Sequence, residues 1–212
     1  MRQLNRFVVF FAVLVMGTGL WAQGRKTGMI FRGAFWPGSG ELVAVSTGEG
    51  ERSVDVGRGG TWLVVYSRLS KRNFLEFSIG SIGDVKTSSR VFHEDEVDVQ
   101  LMTPFTLGLR HHLIDLENSL AIQPYVGAGG GPYWLSDVHV WDDREDAEIS
   151  IGGKLVPGLY GCAGFDFMMA SFVGLNLDFK YHLVNLDPGH RNSGFEMGFG
   201  LLFRWGSFKP GK

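Results

Sequence analysis

Cysteine is nearly absent from this sequence: Cys162 is the only one in 212 residues. A lone thiol cannot close an internal disulfide, so packing and hydrogen bonds must hold the fold. Proline is sparse, at 7 residues, and neither sign of charge dominates, with 20 Lys and Arg against 22 Asp and Glu. A nucleic-acid partner would call for a clustered basic face, and the sequence has none. Beyond residue 22 no stretch supplies the roughly 20 apolar residues that a membrane-spanning helix needs. Runs with the 3.6-residue period of an amphipathic helix are equally hard to find.

The N-terminus carries the first positive signal. Arg2 and Arg6 form a basic start, Phe7 to Met16 is almost unbroken apolar sequence, and Gly17 to Ala22 breaks it. This pattern is expected to be an export signal over residues 1–22, cut after Ala22, leaving residues 23–212 as the folded domain. No cysteine follows the cut, which excludes a lipid-anchored protein. Losing Arg2 and Arg6 takes the net charge from −2 to −4.

Glycine is abundant, at 31 residues, and 13% of the chain is aromatic. Period-two alternation, interrupted by turn residues, predicts strands over Lys26–Trp36, Gly60–Leu69, Asn73–Ile82, Val97–His112, Ala121–Leu135, Lys154–Met168, Phe172–Val184 and Gly194–Trp205. Most reach the roughly 9–11 residues with which a tilted strand crosses a bilayer. The connections alternate: Pro37 to Gly59, Gly83 to Glu96 and Ser136 to Gly153 are long, whereas Ser70 to Arg72 and Met169 to Ser171 are tight. Short turns on one side and long loops on the other are the rhythm of an outer-membrane barrel.

One parity of each segment is apolar. Val173, Leu175, Leu177, Phe179, Tyr181 and Leu183 alternate with Gly174, Asn176, Asp178, Lys180 and His182. Phe195, Met197, Phe199, Leu201, Phe203 and Trp205 alternate with Glu196, Gly198, Gly200, Leu202 and Arg204. The polar face of a soluble sandwich would favour Lys, Glu and Thr. A glycine-rich polar face fits a small lumen in which large and small side chains interleave. The predicted architecture is all-β: an eight-stranded antiparallel up-and-down transmembrane β-barrel. Trp36, Trp62, Tyr133, Trp134, Tyr160, Tyr181 and Trp205 fall near segment ends and are expected in the interfacial girdles.

The residues then show a resemblance. Gln123 to Trp134 (QPYVGAGGGPYW) resembles a strand of the small outer-membrane barrels of the protein W and A type. Gly158 to Tyr181 is similar to their sixth and seventh strands, and Gly198 to Trp205 to their closing strand, although Gly206 to Lys212 follow the last aromatic here. The resemblance implies insertion by the barrel assembly machinery into a Gram-negative outer membrane, as a monomer among lipid and lipopolysaccharide. The W type further implies a slim, porin-like channel for small apolar molecules.

Parity directs Arg32, Glu76, Arg110, Asp166, Asp178, Lys180, Glu196 and Arg204 into the lumen, four of each sign. Buried charges must pair or be hydrated, and eight strands enclose a space just wide enough for side chains to fill. A salt-bridged plug is therefore expected, with a narrow conduit as the alternative. Within it, hairpin symmetry about residue 188 sets Lys180 opposite Glu196, and the two are expected to pair. The acidic runs His93 to Glu96 and Asp142 to Glu148 are expected in outside loops, as solvated charge or as contacts for an extracellular ligand. They lack the spacing of a calcium loop, and no metal or cofactor is expected. His111, His112, His139, His182 and His190 have no triad context, so a lipid-modifying barrel enzyme is the remote alternative and no catalytic residue is expected. Gly127 to Gly131 lacks the Lys-Ser/Thr sequel of a phosphate loop.

Overall fold

The computed structural model describes residues 27–36, 43–48, 51–90, 94–116, 122–143, 146–190 and 192–205. The signal over 1–22, the tail Gly206 to Lys212, and His93, Arg144 and Glu145 lie outside the described residues. Nine strands follow one another: β1 (Thr27–Phe35), β2 (Val43–Gly48), β3 (Glu51–Arg68), β4 (Asn73–Arg90), β5 (Glu94–His112), β6 (Ile122–Asp143), β7 (Asp146–Met168), β8 (Val173–Val184) and β9 (Gly194–Trp205). Every pairing is antiparallel. β1 pairs with both β9 and β3, which closes the sheet into an eight-stranded barrel, while β2 pairs only with the upper part of β3. There is no helix among the described residues.

The alternation read from sequence becomes the two faces of this wall. Even-numbered residues of β8 and β9 are buried inside, and their odd-numbered neighbours face outward. Phe31, Leu107, Leu109, Leu159, Phe199 and Leu201 are all about half exposed on that outer face. An apolar belt of this extent has no place in water. It is the lipid-facing surface of a transmembrane barrel.

Inside, glycines make room for bulky partners. A Cβ on Gly158 would run into the Tyr133 ring, and one on Gly200 into the backbone of Phe31 and Arg32. Large and small residues interleave because a narrow lumen cannot hold two large ones at the same level.

Two expectations need correction. The long connections are largely strand, not loop: β3 begins at Glu51, β4 runs to Arg90, and β6 and β7 reach 22 and 23 residues. The charge in these stretches reads as loop, yet the register sets opposite charges across the ladder. Lys86 stands between Asp55 and Asp98, and Arg90 between Glu51 and Glu94. Val56, Val85, Val99, Val138 and Ile151 occupy one row of neighbouring positions, and β-branched residues favour strand. Asp95 stands opposite Asp142 and Asp143 opposite Asp146, so the acidic runs end the projecting hairpins.

The second correction concerns aromatics. Trp134, Tyr181 and Trp205 lie on the outer face, whereas Trp36, Trp62, Tyr133 and Tyr160 are buried in the lumen. Nearness to a segment end misled. Parity decides which way a strand residue points.

Candidate functional site

The eight charged side chains assigned to the lumen come from β1, β4, β5, β7, β8 and β9, and none is more than 3% exposed. They lie in two connected groups. Asp166 is the hub of the first. Its Oδ2 is 2.6 Å from Arg204 Nη2, its Oδ1 accepts from Asn176 Nδ2 at 2.8 Å, and Arg110 Nη1 stands 3.8 Å away. Arg204 also donates from Nε to the Tyr66 hydroxyl at 2.8 Å and from Nη1 to Gln123 Oε1. Arg110 holds Glu76 through two contacts of 2.7 and 2.8 Å, and its guanidinium lies over the Tyr125 ring at 4.0 Å.

The second group centres on Asp178. Arg32 Nη1 approaches its Oδ2 at 2.6 Å, and the Tyr125 hydroxyl donates to its Oδ1 at 2.5 Å. Asn176 Nδ2 donates to that same tyrosine oxygen at 2.9 Å, which ties the two groups together. Charge-assisted bonds of this length are the strong ones. Four cations meet four anions, so the interior carries no net charge when all are ionised.

Lys180 and Glu196 do stand opposite each other, as the hairpin symmetry requires. The side chains nevertheless take different partners. Lys180 Nζ sits between the Trp62 and Tyr160 rings, at 4.3 and 4.4 Å, with no hydrogen-bond partner among the described residues. Glu196 accepts from His182 Nε2 at 3.2 Å and lies 3.8 Å from Arg32. The long lysine stem carries its ammonium onto two aromatic faces, where cation–π attraction replaces the ion pair. A double-mutant cycle should therefore find little coupling between Lys180→Met and Glu196→Gln. Arg32→Met with Asp178→Asn should couple by about 1–3 kcal/mol. A larger coupling for the lysine pair in urea unfolding would restore the direct bridge.

His182 caps this arrangement. It stacks against Trp36 and Trp62 with ring centroids 5.2 and 5.6 Å away, and its Nδ1 meets the Tyr133 hydroxyl at 2.9 Å. Ile82, Met102, Leu135, Val156 and Val184 are buried and belong to the same apolar cluster as both tryptophans. A charged layer thus lies beneath an aromatic and aliphatic one.

Parity sets Asn176 and His182 on the polar face with Asp178 and Lys180, and the structure adds both to the charge network. Counting charges alone passes over further members. His112, buried 3.9 Å from Asp166, shares the parity of Arg110. Tyr125 and Gln123 lie in the glycine-rich strand and are inward by the same rule. His111 makes a local bond, Nδ1 to Asn73 Oδ1 at 2.7 Å. No group of three or more metal-capable side chains occurs among the described residues.

No protein-family model matches the chain, and no curated protein sequence does. Solved structures do. Ail, the attachment invasion locus protein of Yersinia pestis, solved with the heparin analogue sucrose octasulfate, is 10% identical, with a TM-score of 0.50 over 86% of this chain and 100% of its own. The outer-membrane protein OprG of Pseudomonas aeruginosa is 15% identical, also with a TM-score of 0.50, over 87% of this chain and 97% of its own. The fold is that of the small eight-stranded outer-membrane barrels.

Proposed function

We propose that this chain is an integral outer-membrane protein with a structural or surface-interaction role and a closed lumen. One observation carries the reading: eight ionisable side chains and their tyrosine, asparagine and histidine partners occupy the interior under an aromatic cap, each almost wholly buried. A conduit needs a continuous hydrated path. Here most of the interior charges are held by one another, Arg32 by Asp178, Arg110 by Glu76 and Arg204 by Asp166, as expected of a barrel whose lumen side chains just fill.

Residues 1–22 direct export and are removed, the barrel assembly machinery inserts the mature chain, and it sits as a monomer among lipid and lipopolysaccharide. The projecting hairpins end in Asp95, Asp142, Asp143 and Asp146 and meet a ligand outside the cell. Ail was solved with the heparin analogue sucrose octasulfate, but acidic tips suit a basic partner. Neither catalysis nor a cofactor is part of this proposal.

A second reading, a narrow channel for small solutes, is favoured by one detail. Lys180 Nζ, Trp62 Nε1 and both ring nitrogens of His112 make no hydrogen bond among the described residues, and water could meet them. Solute efflux from vesicles separates the two readings. Reconstituted protein should release neither glycerol nor small sugars above the rate of protein-free vesicles. Efflux that falls with solute size would establish the channel instead.

A further inference from the structure

The outer wall has a depression of about 560 Å³ across β1, β3, β4 and β5, lined by residues including Gly33, Thr61, Ser81 and Thr103. These four form its floor. Gly33 stands opposite Thr61 and Thr61 opposite Ser81. Thr103 continues the row between the bridged pairs Ile79–Phe105 and Ile82–Met102. Below it runs a bulky ledge, Phe31 opposite Leu63, Leu63 opposite Ile79, and Ile79 opposite Phe105.

Three features set this place apart from the rest of the belt. The hydroxyls of Thr61, Ser81 and Thr103 make no hydrogen bond among the described residues. Bridging between β4 and β5 lapses beside them, at Gly80–Ser81, where Pro104 brings no N–H to the ladder. In a bilayer, polar groups without a partner are costly. The depth also matters. Thr61 is seven residues from the Arg68 end of β3, Ser81 eight from Asn73, and Thr103 nine from His112. A tilted strand crosses in roughly 9–11 residues, so the floor lies toward the projecting hairpins, where outer-leaflet acyl chains meet their carbonyl groups.

We infer that this groove seats an acyl chain of a lipid A molecule, resting on the outer-membrane residence proposed above. The chain packs along the Phe31–Leu63–Ile79–Phe105 ledge. Thr61, Ser81 and Thr103 donate to its ester and amide carbonyls. Neighbouring strands lie about 4.8 Å apart, which spaces three donors for a lipid that carries several carbonyls close together. A concave, hydroxyl-floored site on a lipid-facing wall is continuous with the membrane interface.

Native mass spectrometry of the folded barrel in mild detergent tests this, with hexa-acyl lipid A or phosphatidylethanolamine added. Wild type should hold one lipid A and release it only at high collision energy, with phosphatidylethanolamine lost readily. Thr61→Val/Ser81→Ala/Thr103→Val should weaken lipid A retention by about tenfold or more, given the usual worth of three hydrogen bonds. Gly33→Leu should abolish it by filling the groove. An added Cβ at Gly33 meets nothing nearer than 4.0 Å, so the barrel still folds, which heat-modifiable gel migration checks. Gly161→Leu, on the lipid-facing side of β7 with nothing within 4 Å of its Cβ, should retain lipid A as wild type does. Equal retention of both lipids, or no effect of either groove variant in a folded barrel, would overturn the site. Either result would leave the closed-lumen reading standing.

Discussion

Asp166→Ala should lower the unfolding free energy of the vesicle-inserted barrel by about 3–5 kcal/mol, the usual cost of stripping one partner from a buried ion pair. Asp166 meets the Arg204 guanidinium at 2.6 Å, and it also receives Asn176. With Asp166 gone, Arg204 loses the carboxylate at its Nη2 while staying 3% exposed, and the Tyr66 and Gln123 oxygens to which it also donates are neutral. Arg110 is less affected, because Glu76 still holds it at 2.7 Å. The loss should thus be traceable to Arg204, and adding Arg204→Met should recover much of it. Urea unfolding followed by tryptophan fluorescence gives both numbers. A cost below about 1 kcal/mol, typical of an exposed pair, would mean that Asp166 is hydrated and the interior open.

Phe199→Arg carries the next largest expected effect and tests the opposite face. Phe199 is 58% exposed, sits midway along β9, and stands opposite Leu177 on one side and Gly33 on the other. In water, an exposed phenylalanine exchanged for arginine changes stability by only a few tenths of a kcal/mol. At the middle of a bilayer the same exchange costs about 2–4 kcal/mol, fading to about 0–1 kcal/mol near the interfaces. Leu177→Arg should match it. Trp205→Arg, at the end of the strand, should be mild. A flat profile along β9 would contradict the membrane reading of the belt.

Both predictions draw on what alternation makes legible. Parity along β8 and β9 tells inside from outside without any knowledge of the neighbouring strands. It directs Arg32, Glu76 and Arg204 to one face although they lie far apart in sequence, and all three are buried. Hairpin symmetry likewise predicts the Lys180–Glu196 register. What a lysine does with its flexible stem is not a property of register, because Trp62 and Tyr160 reach it from β3 and β7. The projecting strands were hidden for a different reason. Charges such as Lys86 and Arg90 suggest loop until the partner strands bring Asp55, Asp98, Glu51 and Glu94 opposite them. The groove floor was invisible for a third reason: Gly33, Thr61, Ser81 and Thr103 are unremarkable singly and become a row only when four strands come into register.

The proposal of a closed lumen is tested most directly by single-channel recording of the purified barrel in planar bilayers. Under that proposal the Arg32–Asp178 and Arg204–Asp166 pairs block the path, and insertion without unitary current at either polarity is the expected result for wild type. Reproducible conductance steps whose ion selectivity shifts on Lys180→Met or Glu196→Gln would contradict it, since those residues would then line a pore.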